Sequence, residues 1–509
     1  MPEAHLATDV VHHHALRRPD APAVADLATG EALTWRGFGG RVAAVAGVLG
    51  DEFGVGHGDR VAVLALNSTW MLALQFACMR LGAIFVPLNF RLAQPELEFF
   101  CTDSEPTVLL HDATWAEMAH RVAAGAGVPR LSSWGVADAA HDLPAAAARA
   151  TPRTARALAR YEDTVSLLYT SGTTGRPKGA RCTHRTLHYN TLNSIEPYGL
   201  TPNCRYLAVL PFFHAAGLNS ITLPLLSLGG SLLIAPGFDP GQVVELLADP
   251  ARGITQFSGA PVMYQVMSSV PGFDGADFSH LKHGQVGGGF LNYEVTKAFH
   301  DRGIALSPGY GSTEMGPIVS VVRPADALRK FGSCGTPVQY THVRVVGEDG
   351  QDVAVGETGE VWAHGPAITP GYWRREHDED SAFAGEWFRT GDAVVQDDEG
   401  FLTIVDRYKD MYKSGGECVF PAEVERILHE HPDLADAAVI PVADPRWGEV
   451  GRALLVPRAG TALDPDRIAA HCRDRLAGYK VPAEFLVIEP FARNVTGKIP
   501  KAELKAKYG

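Results

Sequence analysis

Apolar positions along the first third of the chain alternate between two periods. A helical spacing over Trp35 to Leu49 gives way to the apolar run Arg60-Val61-Ala62-Val63-Leu64. A second helical stretch covers Thr69 to Arg80, and Ala83-Ile84-Phe85-Val86-Pro87-Leu88 reads as the next buried strand. Strands spaced by helices predict βαβ units around a parallel sheet. The span from Val136 to Arg160 is rich in Ala, Arg and Pro and poor in large apolar residues, which predicts a surface connection with weak helix. It leads to a strand at Val165. The α/β pattern resumes at Arg205 and runs through Leu232-Leu233-Ile234-Ala235, a helix at Gln242 to Leu247, and Ile254-Thr255-Gln256-Phe257.

After Gly309 the texture changes. Short β-prone runs at Val343 to Val346, Gly359 to Ala363 and Phe401 to Val405 are separated by Gly/Asp turns, as in a small antiparallel barrel or sheet. Asp406-Arg407-Tyr408-Lys409-Asp410 marks a boundary. Beyond it lies an α+β pattern: helix at Pro421 to His429, strands at Ala437 to Ile440 and Ala453 to Val456, helix at Pro465 to Leu476. About a hundred residues suit an independently folded domain. The expected organisation is 1–406, a hinge at 407–410, and 411–509.

Residues 206 to 238 contain no Asp, Glu, Lys or Arg, but Pro211, Gly217, Pro224 and Gly229-Gly230 interrupt them. A spanning helix needs about 20 uninterrupted apolar residues, so this run predicts a buried strand, helix and strand. The net charge of −13 argues against a chain built to neutralise nucleic-acid phosphates or sit on an anionic membrane. Seven scattered cysteines without a CxxC pair argue against zinc and a disulfide framework. No basic segment followed by an apolar run opens the chain, and a cytoplasmic location is expected. His12-His13-His14 sits inside a helical stretch and is read as part of it.

The chemistry concentrates first at Thr170-Ser171-Gly172-Thr173-Thr174-Gly175-Arg176-Pro177-Lys178-Gly179, directly after an apolar strand. Glycines let backbone N–H groups crowd around an anion, hydroxyls add donors, and lysine adds a point charge. This is phosphate-handling chemistry, though not the Gly-Lys-Ser/Thr loop of ordinary NTPases, because Pro177 precedes Lys178 and Gly179 follows it. A second loop, Gly309-Tyr310-Gly311-Ser312-Thr313-Glu314, offers phosphate donors and a hard oxygen ligand of the kind Mg²⁺ prefers. Trp387-Phe388-Arg389-Thr390-Gly391-Asp392 places a carboxylate after a tight turn, where it can accept ribose hydroxyls.

Together with Val286-Gly287-Gly288-Gly289-Phe290-Leu291, Pro211-Phe212-Phe213-His214-Ala215-Ala216-Gly217 and Asn494-Val495-Thr496-Gly497-Lys498-Ile499, these motifs stand in an order that resembles the adenylate-forming superfamily. That superfamily comprises acyl-CoA synthetases, peptide-synthetase adenylation domains and luciferases; fatty-acyl- and aryl-CoA ligases are the most similar. The resemblance covers nearly the whole chain. It implies a large N-terminal domain of two helix-flanked sheets and a small β-barrel, α/β in class, with a smaller mobile α+β lid.

It also implies roles. Thr170, Ser171, Gly172, Thr173, Thr174, Gly175 and Lys178 would hold ATP phosphates, with Gly288, Gly289, Tyr310, Gly311 and Ser312 around AMP. Thr313 and Glu314 would contact the phosphates and Mg²⁺. Asp392, assisted by Arg407, would take the ribose. His214 would position the acyl carboxylate, and Lys498 would stabilise charge built up as a carboxylate attacks the α-phosphate.

Lys409 would be the hinge. Lys413, Gly415 and Gly416, with Trp447 and Tyr479 in segments similar to those of aryl-CoA ligases, would border CoA. Ala215, Ala216, Gly217, Gly289, Gly309 and Gly311 are small and uncharged. With His214 they imply a pocket for an apolar aryl or aliphatic monocarboxylic acid. Gly289 stands where the family usually has alanine, and Phe290 where it often has proline. The expected activity is ATP-dependent acid–CoA ligation with ATP, Mg²⁺ and coenzyme A. The alternative is a stand-alone enzyme loading a carrier-protein thiol. A homodimer is compatible with the sequence.

Overall fold

The computed structural model describes residues 8–136, 141–154, 159–170, 177–375, 382–407, 410–414, 417–492 and 499–509. It divides into two compact units. One comprises residues 1–342 and 363–388, the other residues 343–362 and 389–509.

The first unit is built on two sheets. One has nine strands, and its parallel centre runs His283–Gly287, Gln256–Gly259, Arg205–Ala208, Ser231–Ile234. The other has six, in the order Leu131–Trp134, Val108–Asp112, Arg60–Leu64, Ile84–Pro87, Thr164–Thr170, Lys178–Thr183. Its first five strands are parallel, and the last folds back antiparallel as the second arm of a hairpin. The helices expected at Trp35 to Leu49 and Thr69 to Arg80 are present as Trp35–Asp51 and Thr69–Leu81. The second is buried nearly all round, as its unbroken apolar sequence requires. Ser68 caps its start by accepting the Met71 N–H, and Gly82 closes its end at φ 70°.

The charge-free run forms the strand Arg205–Ala208, a helical stretch from Ala215 to Ser227, and the strand Ser231–Ile234. That helical stretch is not uniform. Leu218–Thr222 widens into a π turn immediately before Pro224, which has no N–H to continue the regular ladder. Three short strands carried too little pattern to be expected: Pro22–Asp26, Ala32–Thr34 and Leu131–Trp134. His14 lies in the helix Val10–Arg17, its Nε2 2.9 Å from the Ser227 carbonyl oxygen.

Two smaller sheets account for most of the second unit. The short runs His342–Val346, Thr358–His364, Trp387–Gln396 and Leu402–Arg407 belong to one. The other centres on the antiparallel pair Leu434–Asp444 and Gly448–Pro457, both longer than their apolar cores predict. Pro421–His429 and Pro465–Arg473 pack on it through Val424, Ile427, Leu428, Ile468 and Cys472. Among the described residues no helix is long and apolar enough to cross a membrane.

Candidate active site

The glycine loop spans the two arms of a hairpin. Thr164–Thr170 leads in, Lys178–Thr183 leads out, and Thr170 faces Lys178 in register. Ser171, Gly172, Thr173, Thr174 and Gly175, between them, lie outside the described residues. What is described is the loop's base. Lys178 is buried, although a lysine opening a strand is usually solvated.

Glu314 comes from the other sheet, in the turn after the strand Leu306–Tyr310. Its carboxylate is buried and held on both oxygens. Thr170 Oγ donates to Oε1 at 2.9 Å and Tyr372 OH to the same oxygen at 3.2 Å, while Ser312 Oγ donates to Oε2 at 2.9 Å. The two sheets thus meet at the carboxyl ends of their strands, where open α/β folds bind ligands.

Tyr372 is held there by the backbone. The Arg181 N–H bonds the Gly371 carbonyl at 3.1 Å, and the Trp373 N–H bonds the Gly179 carbonyl at 2.8 Å. Residues 371–373 therefore extend the hairpin's edge, and the Lys178 ammonium sits 5.2 Å from the Tyr372 ring centroid. A phenol thus links the loop lysine to the acidic ligand. Nothing local in the sequence marks Tyr372 beyond the turn-forming Pro370-Gly371 before it, because both of its partners are remote.

Hard oxygen donors in this arrangement suit Mg²⁺, which binds through one or two carboxylates and leaves its other positions to phosphates and water. Glu314, with the Thr170 and Ser312 hydroxyl oxygens beside it, would hold that ion. The buried lysine would supply charge to a polyphosphate.

The small residues assigned to the acyl side divide into two kinds. A Cβ on Gly217 would stand 2.1 Å from the Pro211 carbonyl oxygen, and one on Gly311 would stand 1.9 Å from that of Pro317. Glycine is demanded at both by the main chain itself. At Gly289 a Cβ would lie 3.5 Å from Pro261 Cγ, an ordinary contact, so its missing methyl leaves space. Gly288 has φ +84°, a conformation that side chains resist. His214 precedes the turn Ala215–Gly217 and its ring lies 5.6 Å from that of Phe213, which in turn meets Phe90 edge-on at 5.0 Å. Ala215 is buried and Ala216 exposed. Phe290 is 61% exposed and lies 5.6 Å from the Phe331 ring.

Beside Gly309 lies a buried polar group that the sequence did not single out. A Cβ there would be 3.4 Å from Tyr198 OH and 3.6 Å from Gln285 Nε2. Gln285 Nε2 donates to Tyr198 OH, and its Oε1 accepts from Ser220 at 3.0 Å and Ser258 at 3.1 Å. Four polar side chains in an apolar layer need one another. Ser220 lies six residues after His214, in the π turn, so the helical stretch that follows His214 carries Ser220.

In the second unit Asp392 pairs with Arg407 in strand register, which brings the two predicted ribose residues opposite one another. Lys413 Nζ is 3.1 Å from Glu348. Trp447 and Tyr479 are 46% and 41% exposed. Arg446 lies over the Trp447 ring at 4.6 Å, and Lys480 is engaged by Glu423 at 2.7 Å. Lys409, Gly415, Gly416, Lys498 and the Arg407 side chain lie outside the described residues.

The chain is similar to known proteins in sequence and in fold. The AMP-binding enzyme model matches residues 11–373, and the AMP-binding enzyme C-terminal domain model matches residues 423–498. A feruloyl-CoA synthase from Amycolatopsis is 41% identical over 94% of this chain and 95% of its own length. An indoleacetate–CoA ligase from Aromatoleum aromaticum is 37% identical over 89% of each. ATP-bound MatB from Rhodopseudomonas palustris superposes with a TM-score of 0.89 at 28% identity, covering 98% of this chain and 99% of that one.

Proposed function

The chain belongs to the AMP-binding enzyme family, and from that membership we propose that it activates an aryl acid bearing a hydrogen-bonding group remote from the carboxylate. It is an AMP-forming acyl-CoA synthetase, an acid–thiol ligase that uses ATP and CoA. In the first half-reaction an acid carboxylate oxygen attacks the α-phosphorus of ATP and pyrophosphate leaves. In the second a CoA thiolate attacks the acyl carbon and AMP leaves. No enzyme nucleophile is needed.

The observation that carries adenylation is the buried Glu314 carboxylate, gripped by three hydroxyls beside buried Lys178. Bound Mg²⁺ would neutralise phosphate charge there. Tyr310 ends the strand and Thr313 opens the turn that carries Glu314, and both would face the nucleotide. Lys498 is the proposed cation for the transition state, brought in and withdrawn by rotation about Lys409. Asp392 and Arg407 take the ribose; Lys413, Gly415, Gly416, Trp447 and Tyr479 border CoA.

The choice of an aryl acid rests on the polar group beside Gly309. Gly289 and Gly309 put no side chain in the way of a flat ring, and beside Gly309 the Tyr198 hydroxyl and the Gln285 amide N–H are the polar groups its far end would meet. The aryl acids in the names of two relatives support the same choice.

An acid panel tests this. Aryl acids with a remote hydroxyl should give the highest kcat/KM for ATP- and CoA-dependent thioester formation. A fatty acid or a dicarboxylate surpassing all of them would overturn the substrate reading. A phosphopantetheinylated carrier outcompeting CoA would overturn the acceptor. Lys498→Ala should lose acid-dependent pyrophosphate release and keep thioester formation from supplied acyl-AMP.

A further inference from the structure

Three residues beyond Lys498 the chain enters its terminal helix, Lys501–Tyr508, and both ends of that helix are anchored within the second unit. At the start, Lys501 Nζ lies 2.9 Å from Glu425 Oε1 on the helix Pro421–His429. The same oxygen accepts the Val439 N–H at 2.7 Å, from the strand beneath. At the end, the Tyr508 carbonyl accepts from the Arg452 guanidinium, which also pairs with Glu484 at 2.7 Å. Asp406, in the strand Leu402–Arg407 that leads to the proposed hinge, accepts the Ala422 N–H at 2.6 Å and so caps the helix bearing Glu425.

This anchor is largely shielded from water, with the Lys501 and Glu425 side chains 22% and 15% exposed. Burial pulls the Lys501 ammonium downward, but Glu425 and then Asp406 outweigh it, and the net shift is upward. Burial raises the Glu425 carboxyl despite Lys501 and the Val439 N–H. A buried pair of this kind is a poor way to gain stability, since desolvation consumes most of its attraction and an apolar contact would serve as well. What it supplies is one fixed geometry. Three residues reach at most about 10–11 Å when fully extended, so the Lys501 anchor limits where Lys498 can stand.

We propose that Lys501, through Glu425, is a positioning residue for adenylation. The pair fixes the start of the helix Lys501–Tyr508 against the helix that Asp406 caps, and so restricts where Lys498, three residues earlier in the chain, can be delivered. Lys501 itself touches no substrate. The proposal rests on Lys498 being the adenylation lysine.

The test separates the half-reactions in the full-length enzyme: acid-dependent pyrophosphate release, and thioester formation from supplied acyl-AMP and CoA. Lys501→Met and Glu425→Gln should each slow adenylation on the order of 10- to 100-fold, the effect of misplacing a catalytic group by about 1 Å. Thioester formation should stay within about twofold, because that half does not use Lys498. Lys501→Arg, which keeps the pair, should restore adenylation. If Lys501→Met fails to fold, Glu425→Gln carries the test, since the amide retains the shape and its oxygen can still accept from the Lys501 ammonium. Equal loss of both half-reactions would make the anchor merely structural, and no loss in either would make it idle; both results overturn the proposal. Lys498→Ala runs alongside. Should that variant adenylate normally, it is the reading of Lys498 that fails, and the positioning role falls with it.

Discussion

Thr170 Oγ donates a 2.9 Å hydrogen bond to Glu314 Oε1, joining the last residue of a strand in one sheet to the turn after a strand of the other. The residues are 144 apart in sequence. Each belongs to a motif legible by itself, and the bond makes them one site. Tyr372 reaches the same oxygen from the hairpin's edge.

Because Thr170 and Tyr372 share one carboxylate oxygen, their contributions should not add. A hydrogen bond to a charged group is worth about 1.5–3 kcal/mol. Thr170→Val and Tyr372→Phe should therefore each lower kcat/KM for adenylation by about tenfold or more. The double variant should lose less than the product of the two. A pyrophosphate-release assay across the four proteins gives the coupling directly, and strict additivity would show that the shared oxygen does not matter to the reaction.

Gly289 and Gly311 look alike in sequence and should behave oppositely. Gly289→Ala adds a methyl at ordinary distance from Pro261, so the enzyme should fold normally and discriminate more strongly against wide acids. One methyl in a pocket is worth about 1–3 kcal/mol of selectivity. Gly311→Ala would drive a Cβ onto the Pro317 carbonyl and should lower the melting temperature or yield insoluble protein. Relative kcat/KM over an acid series, with thermal denaturation, reads both; an unchanged ranking in Gly289→Ala would remove Gly289 from the acid's surroundings.

Tyr198→Phe should reduce the preference for a remotely hydroxylated aryl acid over its unsubstituted analogue. One lost hydrogen bond, about 1.4 kcal/mol, corresponds to a tenfold loss. The unsubstituted acid should be turned over as before. A uniform fall for both acids would mean that Tyr198 supports the fold around Gly309 without reading the substrate.

The sequence carried the order of the elements and the motif chemistry, because both are local. Periodicity located the helix Pro421–His429, and residue type named Glu314 and Lys178. What it could not carry were partners. The hydroxyl of Tyr372 matters only because residues 371–373 lie along the strand Lys178–Thr183, a long-range backbone pairing with no local trace. Gln285 stands in the short run His283-Gly284-Gln285-Val286-Gly287, where nothing local marks the amide as buried, and its role shows only once Tyr198, Ser220 and Ser258 surround it. The glycines show the same limit from the other side. All are small, yet Gly217 and Gly311 answer to backbone oxygens, and only coordinates separate them from Gly289.

Acid should weaken the first unit in a window to which two buried histidines contribute. Burial pushes His184 down from 6.5 to about 4 and His283 down to about 3, and the Nε2 of each has no hydrogen-bond partner among the described residues. Above pH 6.5 neither the folded nor the unfolded chain protonates them, and they contribute no pH dependence. Below it the unfolded chain binds a proton at each site while the folded one does not, so the unfolded state gains protons and stability falls with pH. The loss continues until the folded histidines themselves protonate, near 4 and 3. Each can contribute up to about 1.4 kcal/mol per pH unit. His429, in the second unit, runs the other way. Its hydrogen bond to Asp436 raises its pKa, so the stability it adds is fully present below the unfolded value and is lost as pH rises through the folded one. Replacing both buried residues, His184→Asn with His283→Phe, should flatten the decline in melting temperature between pH 6.5 and 5, where most carboxylates are still ionised. An unchanged slope would place the acid sensitivity elsewhere in the chain.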